Sequence, residues 1–93
     1  MIVEVIMPKL GMYEDDVTLI EWLVDDGTRV DVGEPLFVME TEKVATEIEC
    51  EDEGIIVLEA VAGFNAPVGS RIGYIVSTDD EHRQLRAQLD GSM

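Results

Sequence analysis

The run Met39-Glu40-Thr41-Glu42-Lys43-Val44-Ala45 sets one amine among carboxylates near the middle of the chain, and the only other lysine is Lys9. An unperturbed lysine amine, with a pKa of about 10.4, is protonated at neutral pH. Glu40 and Glu42 favour that charged form further. Lys43 is therefore not a self-activating nucleophile. Its chemistry is acylation within another protein's site, which forms an amide and removes the charge. A lone lysine on a turn is also, in most proteins, a solvated side chain and nothing more.

Other constellations are thinner. Cys50 is the one cysteine and His82 the one histidine. A thiol with its base is conceivable from such a pair, but Cys50 lies in an alternating apolar and acidic run, where strand packing is the ordinary role. Its neighbours Glu49 and Glu51 would raise a thiol pKa, not lower it. One His and one Cys cannot build a closed zinc site. Glu51-Asp52-Glu53-Gly54 reads as a solvated acidic turn in preference to a calcium loop. Paired carboxylates such as Asp15-Asp16 and Asp25-Asp26 have no apolar neighbourhood to split their pKa values for acid–base work. The glycines are scattered, and none opens a phosphate-binding loop. Trp22 and Phe37 fit a strand core better than a ligand site. The expectation is a protein that is not itself an enzyme.

The chain has 93 residues, 46% of them hydrophobic, with a formal net charge of −15. That length suits one domain, and that hydrophobicity suits a folded one. Six Lys and Arg residues against 21 acids disfavour nucleic acid, which is bound by releasing counterions onto cations. They disfavour anionic membranes equally. Partners are expected to carry basic patches, with attraction that weakens as salt rises. Met1-Ile2-Val3-Glu4 has neither a basic leader nor a long apolar run, so no signal peptide or membrane span is expected. A single cysteine suits a reducing compartment, and the expected location is cytoplasmic, or the mitochondrial matrix in a eukaryote.

The elements that would position Lys43 repeat once. Displaced by 36 positions, Leu19-Ile20 falls on Ile55-Ile56, Gly27 on Gly63, Val32-Gly33 on Val68-Gly69 and Leu36 on Ile72. Each copy reads as β structure: Val17 to Val24, a turn at Asp25-Asp26-Gly27, a bend at Gly33-Glu34-Pro35, then a short buried strand over Leu36 to Met39. The second copy runs from Ile55 to Val76 in the same order. Ala45 to Cys50 alternates with period two and places Glu47 and Glu49 toward water. Ile2 to Met7 is a further strand, stopped by Pro8. Short strands at regular spacing predict an all-β sandwich or flattened barrel of two related halves. In that arrangement the turn at Lys43 lies at the end opposite the termini. After residue 79 the composition changes. Asp80 is the expected cap of a short helix on which Leu85 and Leu89 share a face, so residues 1–79 form the domain and 80–93 a helical or disordered tail.

Met7-Pro8-Lys9-Leu10-Gly11-Met12, Glu21-Trp22-Leu23, Gly27, Val32-Gly33-Glu34-Pro35-Leu36, Glu40-Thr41-Glu42-Lys43-Val44-Ala45, Ile48-Glu49, Gly54 and Val68-Gly69 together resemble a lipoyl domain of the 2-oxo acid dehydrogenase complexes. The resemblance covers roughly residues 2 to 78. It implies a flattened β-barrel of two four-stranded antiparallel sheets about a quasi-two-fold axis, with the modified lysine at the turn between the halves. Lys43 would then carry lipoic acid through an amide, flanked by Glu42 and Val44 as recognition positions. Related biotinyl domains usually place Met on both sides of their lysine, which Glu42 and Val44 do not match. Val17 stands where the family commonly has Gly. The acidic Tyr13-Glu14-Asp15-Asp16 before it, with Glu40, would mark the surface that partner enzymes read.

The resemblance implies a swinging arm. A lipoyl ligase or lipoyl transferase loads Lys43. The arm accepts acyl groups from a thiamine-diphosphate-dependent 2-oxo acid decarboxylase and delivers them to coenzyme A in an acyltransferase core. A flavin-dependent dihydrolipoamide dehydrogenase reoxidises it. The cofactor carries the chemistry and the domain presents it. A biotinyl carrier and an unmodified interaction module of the same fold are the alternative readings.

Overall fold

The computed structural model describes residues 2–9, 16–41 and 44–91. Eight strands come first: β1 (Ile2–Ile6), β2 (Asp16–Trp22), β3 (Arg29–Val30), β4 (Pro35–Thr41), β5 (Val44–Glu49), β6 (Gly54–Leu58), β7 (Asn65–Pro67) and β8 (Arg71–Val76). The helix α1 (Asp79–Asp90) follows. One antiparallel sheet has the order β1-β8-β6-β3 and the other β5-β4-β2-β7. Advance every strand number by four, returning to β1 after β8, and the first sheet becomes the second. The architecture is thus the expected pair of four-stranded sheets with quasi-two-fold symmetry, packed as a flattened sandwich.

The repeat is visible in the backbone. Gly27 and Gly63 hold φ of 85° and 94°, and Gly33 and Gly69 both hold 88°. These are left-handed conformations that a side chain would strain. The amide of Gly33 donates to the Cys50 carbonyl at 2.8 Å, and that of Gly69 donates to the Met7 carbonyl at 2.7 Å. Cys50 is therefore the symmetry counterpart of Met7, and both are buried. The displacement of 36 does not hold throughout. Leu19 exchanges hydrogen bonds with the Gly63–Phe64 turn, and Ile56 does so with Gly27 and Thr28. Leu19 thus corresponds to Ile56, not Ile55. The extra step is a register shift between Leu19 and Glu21, a bulge that inserts one residue and re-aims the side chains after it.

Inward-facing residues of both sheets make one core, including Val17, Leu19, Leu36, Phe37, Met39, Ile56 and Ile72. Trp22 stands half-buried at its margin, edge-on to Phe37 with ring centroids 5.5 Å apart, and its indole N–H donates to the Ala60 carbonyl at 2.9 Å. Glu47 and Glu49 face water as their alternation predicts.

The helix cap differs from expectation. Thr78, not Asp80, has the extended N-cap conformation, and its Oγ1 accepts from the Glu81 amide at 3.1 Å. Glu81 in turn accepts from the Ser77 amide at 2.9 Å. Thr78 and Glu81 have the spacing of a capping box, so Asp80 falls inside the first turn, where its charge favours the helix dipole. α1 does not stand away from the sandwich. Leu85 and Leu89 pack on Ile55, Val57 and Val76, on the outer face of the first sheet. Asp26 fixes the helix beside them: its carboxylate accepts from the Leu58 amide at 2.8 Å and meets His82 Nε2 at 2.9 Å and Arg86 Nη1 at 3.3 Å. Arg86 also donates to the Leu58 carbonyl at 2.8 Å.

Candidate functional site

Lys43 and Glu42 lie outside the described residues, as do Tyr13, Glu14 and Asp15. The frame around them is described. β4 and β5 pair antiparallel with Thr41 opposite Val44 and Glu40 opposite Ala45, so the chain passes from one strand to the next through residues 42 and 43 alone. Beneath this connection the strands are anchored: Met39 and Leu19 are fully buried and paired with each other. Val17 is buried as well, opposite Ala66. Above it the side chains open to solvent. Glu40 and Ala45 are exposed, and Val44 is 60% exposed. A rigid base with exposed flanks loses little conformational freedom when another protein docks on it.

The second sheet also collects the charged candidates. Thr18 pairs with Glu40, and Asp16, two residues before Thr18, opens β2 opposite Pro67. Asp16, Glu40 and Val44 therefore share one end of that sheet. Its four strands contain Asp16, Glu21, Glu40, Glu47 and Glu49 and no lysine or arginine. Ile2 and Val76, the first and last residues of the sandwich strands, lie away from this end. β7 leads through Gly69 and Ser70 to hydrogen bonds with Met7, just past the last residue of β1, while Ile2 at its start pairs with Val76.

Cys50 and His82 are not brought together. The Cys50 thiol donates to the Asp52 carbonyl, and His82 faces Asp26. Burial pushes the Cys50 thiol up, and the carboxylates of Asp52, Glu34 and Asp31 push it further. It is a core residue with little thiolate. Sequence reasoning missed Asn65, whose Nδ2 donates to Thr18 Oγ1 at 2.7 Å beside Glu40. No periodicity marked it. It also read Asp26 only as part of a turn, although Asp26 organises the helix contact.

A family model described as "Biotin-requiring enzyme" (Biotin_lipoyl) matches residues 3–75. The dihydrolipoyllysine-residue acetyltransferase component of the acetoin cleaving system of Cupriavidus necator is 34% identical over 85 residues, covering 90% of this chain and 23% of the relative. The corresponding component of the pyruvate dehydrogenase complex of Zymomonas mobilis is 35% identical over 95 residues, covering 100% of this chain and 22% of the relative. The mitochondrial pyruvate dehydrogenase protein X component of Mus musculus is 30% identical over 93 residues, covering 97% and 18%. The chain thus spans about a fifth of the length of these relatives. Among solved structures, the lipoyl domain of the 2-oxoglutarate dehydrogenase complex from Azotobacter vinelandii superimposes with a TM-score of 0.67 at 24% identity. It covers 81% of this chain and 96% of that one, a likeness of fold.

Proposed function

We propose, from the premise that this chain belongs to the Biotin_lipoyl family, that it is a lipoyl carrier with Lys43 as its attachment residue. The observation that carries the reading is the Thr41–Val44 pairing. It makes residues 42 and 43 the whole link between the halves of a two-fold sandwich, and residue 43 is a lysine. The relatives named as dihydrolipoyllysine-residue acetyltransferase components support lipoyl over biotinyl loading. So does the absence of Met on either side of Lys43.

The frame fits such a group. Exposed Val44, Ala45 and Glu40 leave room for a ligase to enclose the lysine, and the buried Met39–Leu19 pair keeps the base still while it does so. When bound, a lipoyl group supplies a disulfide ring that is reduced as it takes up an acyl group and must later be reoxidised. The chain's own residues present and steer. Asp16 and Glu40 place negative charge at the presenting end, which suits the basic rims of partner sites. Tyr13, Glu14 and Asp15 extend that recognition surface, with Glu42 and Val44 flanking the loaded residue. Tethering then raises the arm's effective concentration at each site without new contacts.

The partners that follow are a lipoyl ligase or transferase, a thiamine-diphosphate-dependent decarboxylase, an acyltransferase core and a flavin-dependent dihydrolipoamide dehydrogenase. Residues 1–79 form the carrier unit, and α1, which begins at its last residue Asp79, is a docked appendage. The setting is a reducing one, the cytoplasm or the mitochondrial matrix.

The test is intact mass after co-expression with a lipoyl ligase. One lipoyl increment is expected on the unmodified sequence and none on Lys43→Arg. An increment that survives the substitution refutes the site. A biotin increment decides for the biotinyl alternative, and no increment under any condition decides for an unmodified interaction module.

A further inference from the structure

Along one side of the sandwich, where β1 and β5 form the edges of the two sheets, a groove of about 140 Å³ opens between them. Its floor is apolar, with Val3, Val5, Phe37 and Ile48 contributing, and Glu49, Glu51 and Asp52 stand at its rim. The volume decides the class of occupant. Cofactor pockets run from roughly 300 to 1,000 Å³, whereas an apolar cavity of about 150 Å³ holds one benzene-sized group. The groove therefore suits a single inserted side chain. Both flanking strands are edges: among the described residues β1 pairs with β8 alone and β5 with β4 alone. Each carries backbone groups directed away from its one neighbour, the template for an added strand.

We propose that this groove is a docking site for an extended segment of another protein, carrying an apolar side chain flanked by lysine or arginine. The apolar residue enters the floor, the basic residues meet Glu49, Glu51 and Asp52, and the segment's main chain runs along a strand edge. The charge excludes a second copy of this chain as the occupant. Two molecules of net charge −15 would set acidic rim against acidic rim, and like charges face to face suppress association. On β5 the groove uses Ile48 and Glu49, at the end of the strand away from Val44, with Glu51 and Asp52 just past it. The proposal does not depend on modification of Lys43.

The full chain, isotopically labelled, is titrated with the capped peptide acetyl-KLKVK-amide and followed by amide chemical shifts. Acetyl-KGKGK-amide, of equal charge but without apolar side chains, is the control. Saturable shifts confined to residues 3–6 and 48–52 are expected, with the control at least about tenfold weaker. A Glu49→Gln/Glu51→Gln variant, altered only at exposed rim positions, should keep its unfolding temperature and bind acetyl-KLKVK-amide about tenfold more weakly. Equal binding of both peptides overturns the proposal, because only diffuse charge attraction is then at work. Shifts centred on Glu21, Glu40 and Glu47 with the groove unmoved overturn it too, as does no saturation at millimolar peptide.

Discussion

α1 offers the sharpest quantitative test of how this chain is held together. Replace Leu85 and Leu89 by alanine in the full chain. Alanine is the best helix former, so intrinsic helicity is preserved and the change reports packing. Both leucines are half-buried against Ile55, Val57 and Val76. A fully buried Leu→Ala change costs about 2–5 kcal/mol, and half-burial scales that to roughly 1–1.5 kcal/mol each. The pair should therefore remove about 2–3 kcal/mol. A helix of 12 residues is marginal in water without tertiary contacts, so the loss should release it. Hydrogen exchange should show the α1 amides losing about 30- to 100-fold in protection, at about 1.4 kcal/mol per tenfold. The unfolding midpoint should fall by roughly 10–20 °C. The dispersed amide shifts of Leu19, Met39 and Ile56 should persist at 25 °C, because the main core lies on the other face of the sheet. Two results would refute the reasoning. Undiminished α1 protection would mean that Asp26, His82 and Arg86 alone hold the helix. Collapse of the sheet shifts at 25 °C would mean that sandwich and helix form one inseparable unit.

Two further outcomes follow from the backbone and from charge. A Cβ at Gly54 would run into the Val76 carbonyl oxygen, at a φ of +148°, whereas Gly33 has a positive φ of +88° but nothing within 4 Å. Gly54→Ala should therefore cost about 3 kcal/mol or more and Gly33→Ala about 1 kcal/mol; equal shifts of the urea midpoint would contradict this. For Asp26, burial pushes the carboxyl up, but the Leu58 amide, His82 and Arg86 outweigh it and hold the group below its ordinary 3.8. A depressed carboxyl stabilises the fold fully above its unfolded pKa, and that contribution fades as pH falls through the lower folded value. Protection of the α1 amides should thus hold to about pH 4 and drop below it, and Asp26→Asn should lack that acid step; superimposable acid profiles would count against the linkage.

Much of this architecture was legible because it rests on local chemistry. Gly27, Gly33, Gly63 and Gly69 occupy turns that need positive φ, so their spacing exposed the repeat directly. The bulge after Leu19 was not legible. A one-residue insertion in a strand leaves composition unchanged and appears only in the pairing. The cap went to Thr78 because it stands three residues before Glu81, a reciprocal arrangement that a bare preference for Asp misses. Docking of α1 did leave a trace. Gly54 to Leu58 is an unbroken apolar run, and a strand of that kind is buried on both faces. The inner face was accounted for by the sandwich, but the cover for Ile55 and Val57 depends on a contact nearly thirty residues away that no local pattern announces. Lys43, the proposed attachment residue, stood out by scarcity, since the only other lysine is Lys9.

The two-fold frame also distinguishes the proposed attachment link from its symmetry counterpart. The β4–β5 link and the exit from β8 are counterparts, displaced by the same 36 residues that relate β4 to β8. At the first the chain turns back at once, and the sheet it belongs to carries five acids and no cation in its strands. At the second the chain enters a helix that folds down over the other sheet, where Arg29 and Arg71 lie in the strands and Arg83 and Arg86 on α1. Most of these cations are occupied internally: Arg71 bridges Glu4 and Glu59, Arg83 meets Asp80, and Arg86 meets Asp26. The arginines on the helix face are thereby paired and its apolar strip closed, while the strands of the opposite sheet hold acids alone as charged residues. A basic partner approaching such a molecule is drawn to the acidic sheet first. That sheet bears the β4–β5 link, so on the proposed function the field would orient such a partner before it reached residue 43.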